Sequence, residues 1–104
     1  MVTPTQGELW WSTDDKRRPV LVVTRSSAIP VLHAIVVAPV TSNARGVSTE
    51  IPVGRAQGLP RESAASFDNL RRIDPSSLTE RIGELGPLAS FQICRALEAL
   101  ADCD

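Results

Sequence analysis

At 104 residues, with 42% hydrophobic and 22% charged side chains, the chain has the size and composition of one globular domain, expected to span residues 1–104. Its 11 basic and 12 acidic side chains give a net charge of −1, which excludes nucleic-acid binding through an overall positive field. No apolar run approaches the ~20 residues that cross a bilayer, and the N-terminus lacks the layout of a signal peptide. We therefore expect a cytoplasmic protein with no membrane partner.

The first half of the chain is predicted to form strands separated by turns. GELWW at 7–11 is short and strand-like, and 19–25 is a β-branched run opened by a proline. The segment 31–41 is long and apolar enough to be a central strand buried on both faces. The alternating segment 47–53 predicts another strand, which Pro52 places at a sheet edge.

The second half is predicted to hold shorter strands and one helix. Residues 63–73 suggest two short strands that meet near Asp68 and Asn69, followed by a helical turn capped by Asp74 and a short strand at 81–85. The segment 86–101 is the clearest helix, with apolar residues near one face: Leu88, Phe91, Ala96, Leu97 and Leu100. The pattern as a whole predicts a small barrel-like antiparallel sheet with a C-terminal helix.

Several common catalytic and metal-binding motifs are missing from the sequence. It contains no CxxC pair, no HExxH and no GxxxxGK[ST] loop. His33 is the only histidine, which excludes a two-histidine mechanism, and we expect it to be packed or at a strand rim. Cys94 and Cys103 suggest a reducing compartment and structural or incidental roles. No metal site and no cofactor are predicted.

The remaining candidates are arginine and hydroxyl side chains at strand ends. Arg17 and Arg18 precede one predicted strand, and Thr41 ends the next. Antiparallel neighbours would bring Arg18 and Thr41 to the same sheet edge, where a guanidinium fork and a hydroxyl suit the oxygens of a phosphodiester. The alternative is that these arginines are solvated rim residues, and pattern alone leaves both open.

A set of short motifs in a fixed order adds a family resemblance. Over nearly the whole chain, the sequence resembles the MazF/PemK family of toxin endoribonucleases. The motifs that carry this resemblance are, in order, GELWW, RRPVLVVTR, VVAPVTSNARG, TEIPV, GLPRESAASFDNL and RIGEL, followed by a terminal helix. The resemblance implies a compact SH3-like β-barrel with a C-terminal helix, usually homodimeric. It also implies a type II toxin that cleaves single-stranded RNA at short sequences and is restrained by a MazE-like antitoxin.

The resemblance also implies residue roles. The family's catalytic arginine directly precedes the proline of the strand-opening motif, which is Arg18 here, and its catalytic threonine matches Thr41 in PVT. The family often has an acidic residue followed by glutamine where this chain has Asp68 and Asn69, so Asn69 carries a shorter amide. The second hydroxyl after the threonine is Ser42.

The implied chemistry is attack by the ribose 2′-hydroxyl, without metal. Arg18 would stabilise the charge that builds on the phosphate oxygens, and Thr41 would donate a hydrogen bond to the same group. Three further cations are expected to contact phosphates and position the RNA: Lys16, Arg17 and Arg45.

Two alternatives belong to other functional classes. A CcdB-like poison of DNA gyrase shares the barrel architecture, although this chain ends in LEALADCD without an aromatic residue. The other alternative is a barrel without catalytic activity that only binds nucleic acid or a partner.

Trp10 and Trp11 face opposite sides of a strand, so one is expected in the core and the other at a groove or dimer surface.

Overall fold

The structure is a computed structural model and describes residues 3–101. In this range seven strands and one α-helix follow one another along the chain. They are β1 (Glu8–Ser12), β2 (Arg18–Val22), β3 (Ile35–Thr41), β4 (Glu50–Val53), β5 (Ser63–Ser66), β6 (Arg71–Ile73), β7 (Leu78–Glu84) and α1 (Ala89–Ala101). No helix in the described range is both long and apolar enough to cross a membrane.

The strands form one antiparallel sheet in the order β4-β5-β3-β2-β1-β7, and β6 also pairs with β3. The mainly β fold with a C-terminal helix is therefore confirmed. The arrangement is barrel-like but does not close, because β4 and β7 lie at opposite ends of the order. The predicted edge position of the strand containing Pro52 is also confirmed, since β4 pairs only with β5.

β3 is the centre of the molecule and is buried on both faces, as predicted. Val37 and Ala38 follow each other on this strand, point to opposite faces and are both fully buried. Val37 belongs to an apolar cluster with Trp10, whereas Ala38 belongs to a second cluster with Phe67 and Ile93. The sheet therefore separates two cores, and the expectation that one of the two tryptophans packs in a core is confirmed by Trp10.

Two predicted strands are shorter than the sequence pattern suggested. β3 begins at Ile35, because Pro30 lies in a 3₁₀ turn that ends the preceding segment. His33 was expected inside the predicted strand 31–41. That placement was wrong, since His33 lies in the exposed connection before β3. The segment 47–53 enters the sheet only at Glu50, whose backbone N–H closes a turn on the carbonyl of Val47.

The region 63–80 follows the prediction closely. β5 and β6 are the two short expected strands, and a 3₁₀ turn at Phe67–Asn69 joins them. Asp74 caps the next turn, because its carboxylate accepts a hydrogen bond of 2.8 Å from the backbone N–H of Ser76. β7 then begins at Leu78, three residues before the predicted strand.

The predicted packing face of the helix is confirmed only in part. Ile93 and Ala96 are buried against the sheet, and Leu97 packs beside them. Leu88 and Phe91, which were expected on the packed face, are 65% and 60% exposed. The 3.6-residue period places them on the solvent side once Ile93 and Ala96 face inward.

Glu8 forms a buried polar anchor between β1 and β7. Its carboxylate accepts hydrogen bonds from the backbone N–H of Thr5 (2.8 Å), the indole of Trp10 (3.1 Å) and the guanidinium of Arg81 (2.7 Å). Burial alone raises the pKa of Glu8, but the bonds from Arg81, Trp10 and Thr5 outweigh it, so the pKa lies below its ordinary value. The ionised carboxylate is therefore the form that the fold stabilises.

Candidate functional site

Arg18 and Thr41 lie at the same edge of the sheet. The pairing of β2 with β3 includes Leu21–Ala38 and ends at Val20–Pro39, so Arg18 and Thr41 each lie two residues beyond its last pair. Both residues line the same cleft. The expected convergence of these two side chains at one sheet edge is therefore confirmed, while their roles remain predictions.

Both side chains line one open cleft of about 650 Å³, which we call the Arg18–Thr41 cleft. Its walls come from the ends of β2 and β3 and from the 3₁₀ turn that joins β5 to β6. Its lining residues are Arg18, Pro39, Val40, Thr41, Ser66, Asp68, Asn69, Leu70 and Arg71. The cleft combines two guanidinium groups, two hydroxyls, an amide and the carboxylate of Asp68, and its lining is more polar than apolar. The two guanidinium groups suit a polar, anionic ligand.

Arg18 lies partly inside the wall of this cleft, with its side chain 30% exposed. Its Nη2 is 3.5 Å from a carboxylate oxygen of Asp15, a long and exposed contact. Its Nε is buried, and no described group accepts a hydrogen bond from it. A buried donor without an acceptor is costly in free energy, and because this nitrogen has no accessible surface, a ligand in the cleft can meet Arg18 only through its outer nitrogens.

The Thr41 hydroxyl is oriented by the turn that follows β3. Its oxygen accepts a hydrogen bond of 3.0 Å from the backbone N–H of Asn43. A hydroxyl that accepts through a lone pair keeps its own proton for donation. Thr41 can therefore donate to an oxygen bound in the cleft while the turn fixes its position.

A second depression of about 580 Å³ continues from the cleft beyond Thr41 and includes Arg45. Arg45 is exposed and pairs with Asp68 at 3.1 Å and with Glu50 at 3.7 Å. Asp68 also accepts a 2.7 Å hydrogen bond from the Thr49 hydroxyl, which fixes its carboxylate. The two depressions form one groove along the sheet edge.

Asn69 lies where the two depressions join, as its predicted role requires. Its amide nitrogen donates a 2.9 Å hydrogen bond to the hydroxyl of Ser66. Because that bond fixes the amide plane, the carbonyl oxygen of Asn69 remains available to a ligand.

The other predicted contacts lie at the margins of the cleft or outside it. Lys16 borders a small cavity behind Arg18. Ser42 is exposed beside Thr41 but does not line the cleft. Arg17 points away, because its guanidinium stacks over the ring of Trp11 at 4.3 Å. The geometry therefore brings Arg18, Thr41, Arg45 and Asn69 into one groove and leaves Arg17 on another face.

Arg71 lines the cleft, and the sequence analysis missed it. It begins β6 directly after the 3₁₀ turn and pairs in register with Val37 of β3. Its neighbour Arg72 is exposed and faces the other way, because consecutive strand residues alternate. The sequence signal is an arginine pair, and only the register of β6 shows which member reaches the cleft.

Cys94, the cysteine within the described residues, does not line this groove. Cys94 is an exposed free thiol on α1, and Cys103 lies outside the described residues.

Comparison with known proteins identifies the family to which this fold and groove belong. The model of the PemK-like, MazF-like toxins of type II toxin-antitoxin systems matches residues 5–101. The chain belongs to this toxin family. The family resemblance found in the sequence is thus confirmed.

Individual relatives agree with this assignment. A probable endoribonuclease MazF5 of Mycobacterium tuberculosis is 37% identical over 103 residues, which cover 96% of this chain and 94% of that protein. The solved M. tuberculosis toxin MazF-mt6 is 35% identical with a TM-score of 0.85, covering 93% of this chain and 98% of that one. A MazE-MazF structure (Form-I) from Deinococcus radiodurans is 25% identical with a TM-score of 0.80, covering 99% and 100%.

Proposed function

We propose that this chain is a type II toxin endoribonuclease that binds single-stranded RNA in the Arg18–Thr41 cleft and cleaves it at short sequences. The observation that supports the proposal most strongly is the convergence of a guanidinium and an oriented hydroxyl on one polar cleft in a member of this toxin family. Relatives that are named endoribonucleases favour this function over a CcdB-like gyrase poison and over a barrel that only binds.

The proposed reaction is an intramolecular transesterification. The ribose 2′-oxygen attacks the phosphorus and gives up its proton to solvent, and the bond from phosphorus to the 5′-oxygen breaks. The departing 5′-oxygen takes up a proton, so the products end in a 2′,3′-cyclic phosphate and a 5′-hydroxyl. Since the nucleophile belongs to the substrate, the reaction selects RNA over DNA and needs no metal or cofactor.

Arg18 is the proposed stabiliser of the transition state. Negative charge grows on the non-bridging oxygens as phosphorus becomes five-coordinate, and a fixed guanidinium stabilises that charge without reorganising. The outer Nη2 of Arg18, whose contact with Asp15 is long and exposed, can bind an oxygen of the phosphate. Arg18 can also donate a proton toward the departing 5′-oxygen, and Thr41 donates a further hydrogen bond to the same phosphate.

Five other residues are proposed to position the RNA. Arg45 and Lys16 would contact phosphates on either side of the cleft, and Asn69 would contact a base or ribose where the two depressions join. Ser42 and Arg17 would contact RNA only after it leaves the cleft, since neither lines it.

The proposed partners follow from the family and from a solved relative. The D. radiodurans structure pairs MazF with MazE, and we infer a MazE-like antitoxin for this chain as well. An acidic antitoxin segment laid over the groove would compete with RNA for Arg18 and Arg45. We also infer a homodimer and a cytoplasmic location, where its RNA substrate is found.

A cleavage assay in the presence of EDTA tests the proposal. The purified protein should cut a mixed-sequence single-stranded RNA at defined sites and leave 2′,3′-cyclic phosphate ends. Arg18→Ala should slow cleavage by about 100- to 1000-fold, the usual effect of removing one transition-state donor. Arg25→Ala, which removes the same charge beyond the far end of β2, is the matched control and should cut normally. Full activity in a folded Arg18→Ala protein would overturn the assignment.

A further inference from the structure

Two carboxylates in the connection between β1 and β2 hold the cations of the cleft. Asp15 contacts Arg18 at 3.5 Å and Arg71 at 3.8 Å through the same oxygen, Oδ2. Asp14 contacts Arg71 at 3.0 Å. A single anionic oxygen thus lies between two guanidinium groups, on the side of the small cavity rather than that of the cleft.

Arg71 has the geometry of a ligand-binding residue rather than of a surface charge. It lines the Arg18–Thr41 cleft on one side and the small cavity with Asp14 and Asp15 on the other. Its side chain is 38% exposed, so it can exchange one anionic partner for another without unfolding β6. Because Asp15 touches both arginines, one phosphate could also touch both.

The contacts between these carboxylates and the arginines are weak enough to be exchanged. The Asp15 side chain is 59% exposed, and both of its contacts are longer than a good charge-assisted hydrogen bond. A phosphate in the cleft offers more oxygens than this carboxylate and can compete with Asp15 for Nη2 of Arg18.

We propose that Arg71 is a second phosphate-binding residue of this cleft, and that Asp14 and Asp15 compete with RNA phosphate for Arg18 and Arg71 from the small cavity beside the cleft. The inference rests on the proposed function, since it assumes that the cleft binds RNA. The connection between β1 and β2 is then an internal competitor that lowers the affinity of the free toxin for RNA.

The expected size of this competition is modest. Exposed ion pairs of this kind correspond to about 2- to 5-fold in an equilibrium constant. Asp15→Asn should therefore tighten RNA binding by about 2- to 5-fold at low salt. Arg71→Ala should weaken binding and reduce the slope of log affinity against log salt by about 0.7, the value for one phosphate contact on a single strand.

The experiment measures binding separately from cleavage. A short 2′-O-methylated single-stranded oligonucleotide of mixed sequence lacks the nucleophile, so its affinity can be measured by fluorescence anisotropy at several salt concentrations. The variants are Asp15→Asn, Arg71→Ala and their combination. The matched controls are Glu98→Gln, which removes an exposed charge on α1, and Arg72→Ala, which removes the neighbouring charge on the opposite face of β6.

The two proposals fail in different ways. Tighter binding by Asp15→Asn that becomes smaller in the Arg71→Ala background, where only Arg18 is left for Asp15 to hold, supports the inference if both controls are unchanged. Equal effects of Arg71→Ala and Arg72→Ala, or unchanged or weaker binding by Asp15→Asn, would overturn it even if Arg18→Ala abolishes cleavage. Failure of the proposed function would instead appear as undiminished cleavage by Arg18→Ala.

Discussion

Replacing Glu8 by glutamine should destabilise the fold in a manner that depends on pH. The carboxylate binds three donors, with one oxygen accepting from Thr5 and Trp10 and the other from Arg81. The amide oxygen of glutamine can still accept the hydrogen bonds from Thr5 and Trp10. Its NH₂ group would then face the Arg81 guanidinium, and two donors cannot form a hydrogen bond with each other. The loss is therefore one charge-assisted hydrogen bond, which corresponds to about 1.5–3 kcal/mol in the free energy of unfolding.

The pH dependence distinguishes this explanation from a simple packing defect. The folded pKa of Glu8 lies below its ordinary value of 4.5, so its stabilising effect is fully present above that value and is lost as pH falls through the folded pKa. The difference between wild type and Glu8→Gln should be largest near neutral pH and should shrink in acid.

Urea unfolding followed by tryptophan fluorescence at a series of pH values measures this difference. Glu80→Gln is the matched control, since Glu80 is exposed on the adjacent strand β7 and should show no such loss. A Glu8→Gln protein as stable as wild type at pH 7, or a deficit that stays constant into acid, would refute the reasoning.

Two further predictions concern the helix and the cleft. Ile93→Ala should lower the free energy of unfolding by about 2–5 kcal/mol in urea, because it opens a cavity beneath α1. Phe91→Ala on the exposed side should cost less than about 1 kcal/mol, and equal losses would show that α1 is rotated. Thr41→Val should slow RNA cleavage by about 10- to 100-fold, because it removes one hydrogen bond to a charged group. The same change removes the acceptor of the Asn43 N–H and should cost about 0.5–1.5 kcal/mol in the free energy of unfolding. A rate equal to wild type would exclude Thr41 from the reaction.

The convergence of Arg18 and Thr41 could be predicted from the antiparallel pairing of the two strands that contain them. Once consecutive strands pair, the first residue of one lies near the last residue of the next. The prediction needed only the approximate strand ends, which Pro19 and the polar segment after Thr41 supply.

The parts that the sequence could not predict depend on packing between distant segments. Ile93 and Phe91 are similarly apolar, so composition cannot show which of them faces the sheet. Arg71 and Arg72 form an arginine pair, and only the register of β6 on β3 decides which of them enters the cleft. The residues just before Ile35 have the composition of a strand. Only the structure shows that a 3₁₀ turn containing Pro30 precedes them and that β3 begins at Ile35.

A double-mutant cycle on the cleavage step tests the central claim that Arg18 and Thr41 act on the same phosphate. Single-turnover cleavage rates would be measured for wild type, Arg18→Ala, Thr41→Val and the double variant on one RNA. If both groups bind the same scissile phosphate, the double variant should be little slower than Arg18→Ala alone. Losses that multiply in full would mean that the two side chains act independently, and would contradict this account of the cleft.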